Sequence, residues 1–291
     1  MSATKIEWCD HTINPVVGCT KCSPGCDNCY AERFAVRLSK NPATAAKYAG
    51  VVNERGWTGK MSALDVTVFH PLHAMKKPRR IFCGSMTDLF ARGTSFDDLR
   101  CIWTQMRAAA KHTFCILTKR PERMYAFCED NANPPLPNVW LGVTVCNQAE
   151  ADAKIPILLS IPAVKRFVSV EPMLGPVDFQ LEWLTGELAQ DSPYLDWVIC
   201  GGETGHGARP AHPDWFRSLR DQCQGAGVPF FFKGWGEWVT ENQSPEDIVL
   251  PGNSIVPHGW KGKKYEDSLY KVGKHRAGRL LDGVEYSEFP A

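Results

Sequence analysis

The run Gly18-Cys19-Thr20-Lys21-Cys22-Ser23-Pro24-Gly25-Cys26-Asp27-Asn28-Cys29-Tyr30 packs four cysteines into eleven residues. Cys22, Cys26 and Cys29 read C-x3-C-x2-C, and Cys19, Cys26 and Cys29 read C-x6-C-x2-C. Turn-forming residues (Ser-Pro-Gly, then Asp-Asn) lie between the sulfurs, so the four are not all small hydrophobes of a packed core. A short loop that turns its sulfurs inward is a metal or cluster cradle. Three thiolates on a four-iron cluster leave one iron open, and an open iron can do chemistry.

Outward from this run, six short apolar segments recur, each followed by a polar or glycine-containing loop: 80–85, 113–118, 139–145, 166–170, 197–202 and 228–233. Continuous rather than alternating apolarity fits strands covered on both faces, as in a parallel sheet. Helical periodicity lies between them. Phe96, Leu99, Ile102, Trp103 and Met106 follow Ser95, a plausible N-cap with Asp97 and Asp98 in the first turn. Trp215, Phe216, Leu219 and Cys223 share a face that stops at Gly225-Ala226-Gly227. Strands alternating with helices predict right-handed crossovers and an α/β fold, a parallel, partial β/α barrel. The cysteine loop is expected to follow an earlier strand near the N-terminus. Residues 1–238 are read as the barrel. Residues 239–291, rich in Gly, Lys and Pro and weakly periodic, are read as an irregular cap packed on it.

At 291 residues the chain can bury a large core. Its formal net charge of +1 sets up no global field toward nucleic acid or membranes, so any nucleic-acid contact must come from local patches. No apolar run reaches the roughly 18 residues of a membrane span. The start, Met-Ser-Ala-Thr-Lys-Ile-Glu-Trp, lacks a signal-peptide apolar region, which predicts a cytoplasmic protein without a membrane partner. The other eight of the twelve cysteines are scattered and read as buried small hydrophobes, among them Cys83, Cys101, Cys115, Cys146, Cys200 and Cys223.

In parallel α/β folds, sites are built at the carboxyl ends of strands. Here those positions carry Ser85-Met86-Thr87-Asp88, Thr118-Lys119-Arg120, Asn147-Gln148, Glu171-Pro172, Gly201-Gly202-Glu203 and Lys233-Gly234-Trp235. Asp88 also fits a helix cap, Lys119 and Arg120 a solvated pair, and Glu171 a turn residue. Gly201 and Gly202 let backbone approach a ligand closely, while Glu203 can take an ammonium or hydroxyls. The glycine spacing is neither a P-loop nor a complete dinucleotide fingerprint.

A zinc site is the first rival for the cysteines. Its paired C-x2-C knuckles usually stand a dozen or more residues apart, and only three residues separate them here. The bacterial ferredoxin run has a different order. A three-cysteine 4Fe–4S site at the mouth of an α/β barrel fits best.

The C-x3-C-x2-C spacing resembles that of the radical S-adenosylmethionine (SAM) enzymes. More narrowly, Gly18-Cys19, the run 23–32, the run 117–123, Val170-Glu171-Pro172, the run 201–205, Ala208-Arg209-Pro210 and the closing run 278–283 resemble a phage- and prophage-associated three-Cys-motif family. That family looks like a radical SAM branch, and the resemblance spans nearly the whole chain. There is also a faint similarity to spore photoproduct lyase around Gly18-Cys19 and Cys26-x2-Cys29-Tyr30. The family's usual run has valine at position 22. The resemblance therefore favours Cys19, Cys26 and Cys29 as metal ligands, whereas the simple spacing rule selects Cys22 as the first. The family often has glutamine at 234, where this chain has Gly234.

The resemblance implies a 4Fe–4S cluster and S-adenosylmethionine as cofactors, with SAM cleaved to a 5′-deoxyadenosyl radical that abstracts hydrogen. Tyr30 occupies the place of an aromatic near the adenine. Glu203 or Glu171, with Ser85 and Asp88 as rivals, would take the SAM ammonium or ribose, and Lys119 or Arg120 its carboxylate. Three readings stay open: a radical SAM enzyme acting on nucleic acid, one acting on a peptide or small molecule, and a non-catalytic module stabilised by zinc or a cluster. The first draws on three basic clusters (76–80; Lys261, Lys263 and Lys264; Lys271, Lys274, Arg276 and Arg279), which also fit ordinary solvated surface, and on Trp8, Trp235, Trp238 and Trp260, which fit base stacking or, more commonly for aromatics, burial. A dedicated partner protein is a further expectation.

Overall fold

The backbone follows the alternation of strand-length apolar runs with amphipathic segments. A computed structural model describes residues 2–130, 133–186, 192–244, 250–251, 254–255 and 268–291. Its principal elements are β1 (Ser2–Ala3), β2 (His11–Ile13), α1 (Tyr30–Ser39), β3 (Arg80–Cys83), α2 (Phe96–Ala108), β4 (Thr113–Thr118), α3 (Pro121–Cys128), β5 (Val139–Val145), α4 (Gln148–Ser160), β6 (Lys165–Val170), β7 (Trp197–Gly201), α5 (Pro213–Ala226) and β8 (Phe230–Gly234). The chain is mixed α/β. The pairs β2–β3, β3–β4, β4–β5 and β7–β8 are parallel, and β1–β2 is antiparallel. All six apolar runs are strands, with ends shifted by at most two residues. Among the described residues, no helix is long and apolar enough to cross a membrane.

The chain divides into two units. The first comprises Met1–Thr144 and Lys154–Phe167. Its strands run in the order β1-β2-β3-β4-β5-β6, the last entering from its N-terminal half. Ile81, Phe114 and Ile116 on these strands and Leu99, Ile102 and Met106 on α2 have no exposed surface. Burying each such side chain contributes about 1.5–3 kcal/mol. α2 begins where the sequence signals it: the Ser95 hydroxyl accepts from the Asp98 N–H at 3.0 Å. A satellite core of Val17, Ala35, Tyr48, Val51 and Val52 fixes the inner face of α1.

The second unit comprises Val145–Ala153 and Val168–Ala291, with strand order β6-β7-β8. Phe216 and Leu219 of α5 are fully buried, and Phe216 meets Phe232 and Trp235 edge-on. α5 ends at Gly227, whose φ of 70° lets its N–H return to the Cys223 and Gln224 carbonyls. The tail contains more regular structure than its composition suggests. Trp238–Thr240, Leu269–Lys271 and Ser254–Ile255 form a small antiparallel sheet, and Leu280–Leu281 pairs with Val284–Glu285. Strands of two or three residues are too short to show a period. The chain end runs along β8: the Phe232 N–H bonds the Tyr286 carbonyl at 3.0 Å, and Trp197 Nε1 donates to the Glu288 carbonyl at 2.9 Å.

One scattered cysteine departs from the buried reading. Cys101, in the second turn of α2, is exposed, because it lies off the face formed by Leu99, Ile102 and Met106.

Asp282, at a left-handed φ of 53°, anchors the tail. Its carboxylate accepts from Arg217 Nη2 (2.7 Å), Arg220 Nη1 (2.8 Å) and Gln243 Nε2 (2.7 Å). These partners, Arg217 first, hold its pKa down at about 2 against an ordinary 3.8. A depressed carboxylate pKa stabilises the fold above the unfolded value and loses that stabilisation as pH falls through the folded one. Asp282→Asn keeps the backbone preference. It should cost about 1 kcal/mol at pH 7, after discounting for solvent screening of this partly exposed group, and nearly nothing at pH 2. Urea midpoints at the two pH values check this, and an equal loss at both would refute it.

Candidate functional site

The cysteine loop leaves the carboxyl end of β2 within the first unit. Gly18 makes the turn possible. Its φ of +122° is open to glycine, its N–H bonds the Met86 carbonyl at 3.3 Å, and its own carbonyl accepts from Thr87 Oγ1 at 2.7 Å. A Cβ here would collide with the Lys60 carbonyl. After Cys22, the Ser23 hydroxyl accepts from the Gly25 N–H at 3.1 Å and starts a single turn of 3-10 helix, Pro24–Cys26. Cys29 is the N-cap residue of α1. Lys21 pairs with Glu32 at 2.9 Å, and Glu32 Oε1 also accepts from the Trp57 N–H, which ties the loop to the first turn of α1.

Asp88 is the organising carboxylate beside this loop. It is 7% exposed and accepts from the Thr118 hydroxyl (2.6 Å), the Lys119 N–H (3.0 Å), Arg120 Nη1 (2.8 Å) and the Phe90 N–H (3.0 Å). Arg120 then reaches the cysteine loop. Its Nη2 donates to the Thr20 carbonyl (2.7 Å) and to Thr20 Oγ1 (2.6 Å). Tyr30 OH donates to the Ser85 carbonyl at 2.8 Å, and the Asn14 side chain bonds Ser85 Oγ at 3.1 Å and the Met86 N–H at 2.7 Å. Thus Tyr30, Ser85, Asp88, Lys119 and Arg120 do gather around the cysteine loop. Thr118, at the same strand end as Lys119, joins them, as do Asn14 and Thr20, which the sequence did not mark as site residues. Asn14 lies one residue past the carboxyl end of β2, which is the signal that could have found it.

The thiols differ in environment. Burial pushes the Cys19 thiol up to about 11, with Asp88 adding to the rise and Arg120 opposing it. Cys22 and Cys26 are hydrogen-bonded to each other. That bond lowers Cys26 to about 5 and raises Cys22, and Lys119 further favours the Cys26 thiolate. Cys19 lies within electrostatic reach of both Cys26 and Cys29. Among the described residues, no three His, Cys, Asp or Glu side chains stand in a metal-holding arrangement. The donor set is nevertheless soft and thiol-rich, which suits an iron–sulfur group or zinc. The residues fit such a group by donor chemistry.

The remaining expected site residues belong to the second unit. Glu171 pairs with Lys233. Glu203, 5% exposed, accepts from the Arg209 N–H (2.7 Å), Nε (2.8 Å) and Nη2 (2.6 Å). Gly202 faces the Trp235 carbonyl so closely that a Cβ would overlap it, so here the glycine admits the chain's own backbone. The Gly201 carbonyl accepts from the Met173 N–H at 3.0 Å. Gly234 has a φ of +136° and a Cβ would stand 2.8 Å from the Gly278 carbonyl, so this backbone excludes a side chain at 234. Trp8 and Trp235 are each 2% exposed and are core residues, not stacking surfaces. Arg80 turns inward to the Trp8 carbonyl at 3.3 Å, leaving Lys76, Lys77 and Arg79 exposed. Lys271 lies over the Trp238 ring at 5.7 Å. Trp260, Lys261, Lys263 and Lys264 fall outside the described residues.

Gly18→Ala should lower stability by about 2 kcal/mol or more, because its backbone strain adds to the clash with Lys60. Gly225→Ala, in α5 with nothing near its Cβ position, should raise it by about 0.5–1 kcal/mol. Thermal unfolding of both variants checks the pair, and a neutral Gly18→Ala would contradict the loop geometry.

Three comparisons bear on identity. No curated protein matches the chain. Among solved structures, a single mutant of spore photoproduct lyase aligns with a TM-score of 0.45 at 11% identity, covering 94% of this chain and 71% of that one. A double mutant of the same enzyme, solved with bound AdoMet and dinucleoside spore photoproduct, aligns with a TM-score of 0.44 at 11% identity over 93% and 70%. Residues 3–290 match the profile of DUF5131, described as a protein of unknown function, and the chain therefore belongs to the DUF5131 family.

Proposed function

We propose that this protein is a radical SAM enzyme that holds a 4Fe–4S cluster through Cys19, Cys26 and Cys29 and acts on nucleic acid, in base modification or repair. The observation that carries the reading is the four-thiol loop at the carboxyl end of β2, with the Asp88–Arg120 pair bonded to it at Thr20. The C-x3-C-x2-C and C-x6-C-x2-C spacings supply the resemblance. Cys19 is preferred over Cys22 as first ligand, because the family that the chain resembles has valine at position 22. When bound, the cluster and SAM would supply one-electron cleavage of the sulfonium and hydrogen abstraction from substrate.

The chain's own residues would do the rest. Lys119 and Arg120 place positive charge beside thiols that become anionic on metal binding, offsetting their mutual repulsion. Arg120 also fixes the loop through Thr20. Asp88 holds Arg120 and the end of β4 in place with a carboxylate that is already fully engaged, so it acts by positioning. Tyr30, held through its hydroxyl at Ser85, presents an aromatic ring for the adenine. Ser85, with Asn14 beside it, is the candidate for the SAM ammonium. Glu171, Gly201, Gly202 and Glu203 form a second candidate set, whose carboxylates are paired with Lys233 and Arg209. A dedicated partner protein and the tail from residue 239 as a cap also belong to this reading.

The deciding experiment is anaerobic iron–sulfur reconstitution followed by SAM and a reductant, with 5′-deoxyadenosine quantified. Product should form with wild type and Cys22→Ala and be lost in Cys19→Ala. The reverse pattern would move the first ligand to Cys22. A colourless, zinc-loaded protein that releases nothing would replace the enzyme reading with a metal-stabilised binding module. Arg120→Gln should reduce iron retained after desalting severalfold while leaving the far-UV circular dichroism unchanged, and full retention would remove the role given to the cation.

A further inference from the structure

We propose that the outer face of α1 docks single-stranded nucleic acid, with Phe34 stacking on a base and Arg33, Arg37 and Lys40 contacting phosphates. This rests on the nucleic-acid reading above and adds where the strand lies. α1 has two contrasting faces. Ala31, Glu32 and Ala35 are buried, and Ala35 belongs to the satellite core. Residues 33, 34, 37 and 40 recur at helical spacing and share the opposite face. Arg33, Arg37 and Lys40 are exposed, and Phe34 is 46% exposed. The Arg37 guanidinium lies 4.5 Å from the centre of the Phe34 ring, so the aromatic already stands in a cationic setting.

Charge selects the occupant. The helix has one carboxylate, Glu32, and it is turned inward to Lys21 and the Trp57 N–H. α1 therefore contributes only cations and an aromatic to its outer face, on a chain whose net charge is only +1. An apolar protein partner would call for a continuous apolar stripe, whereas this face alternates an aromatic ring with guanidinium groups, the combination that binds single strands. A helix turn of about 6 Å separates Phe34 from Tyr30, and Tyr30 directly follows Cys29, so a strand lying along this face leads to the cysteine loop.

Fluorescence anisotropy with a labelled oligothymidylate of about 12 nucleotides tests the surface, using the full chain without SAM. Phe34→Ala should weaken binding roughly tenfold. Arg37→Gln should reduce the slope of log affinity against log salt by about 0.7. Arg107→Gln, exposed on α2, should change neither. Because Phe34 is surface-exposed, its truncation should leave the melting temperature intact, which circular dichroism verifies. Wild-type binding that Phe34→Ala and Arg37→Gln leave untouched would overturn the surface while sparing the nucleic-acid reading. No binding by wild type would overturn that reading and this inference together. Dimerisation that depends on Phe34, without oligonucleotide binding, would assign the face to a second copy of the chain.

Discussion

The Asp88 carboxylate is the interaction on which the arrangement of the first unit's site depends. It collects two backbone N–H groups, one hydroxyl and one guanidinium in a nearly dry setting. Such a carboxylate cannot be removed cheaply, since each donor it leaves would be short of a partner and Arg120 would keep a partly buried charge without its counterion. Through Arg120 the same carboxylate reaches Thr20, so the start of the cysteine loop is positioned by a charge pair at Thr20 and by the turn at Gly18. Neither anchor is a hydrophobic contact.

Around that anchor, the electrostatics are graded by burial and by neighbours. Cys19 is held as a thiol by burial, while Cys26 is drawn toward the thiolate by its bond with Cys22 and by Lys119. Cations from the loop after β4 face sulfurs from the loop after β2, so the parallel order of the strands brings positive charge beside the thiols. α1 continues this pattern. Its inner face is locked into the satellite core, and its outer face carries the cations.

Much of this was legible in the sequence, for identifiable reasons. The runs 113–118 and 139–145 are strands end to end because continuous apolarity matches burial on both faces. Ser95 caps α2 and Gly227 ends α5 because those chemistries are local. The readings that failed missed either helical phase or a partner distant in sequence. Cys101 sits in an apolar pattern yet faces outward, since helical phase rather than composition sets its side. Trp8 and Trp235, which the sequence leaves open between base stacking and burial, are core. Gly202 reads as space for a ligand, and the Trp235 carbonyl occupies that space.

The sequence by itself determined the α/β class, the positions of six strands and two helices, and the concentration of thiols and polar residues in loops at strand ends, because periodicity, capping and spacing act over a few residues. Only the tertiary structure decided which polar groups face one another. Asp88 and Arg120 meet across 32 positions, Arg120 and Thr20 across 100, and Glu203 turns to Arg209 only six residues away. A carboxylate's partner is chosen by which charges the fold brings within a few ångströms once water is excluded, and no local pattern of residues encodes that choice.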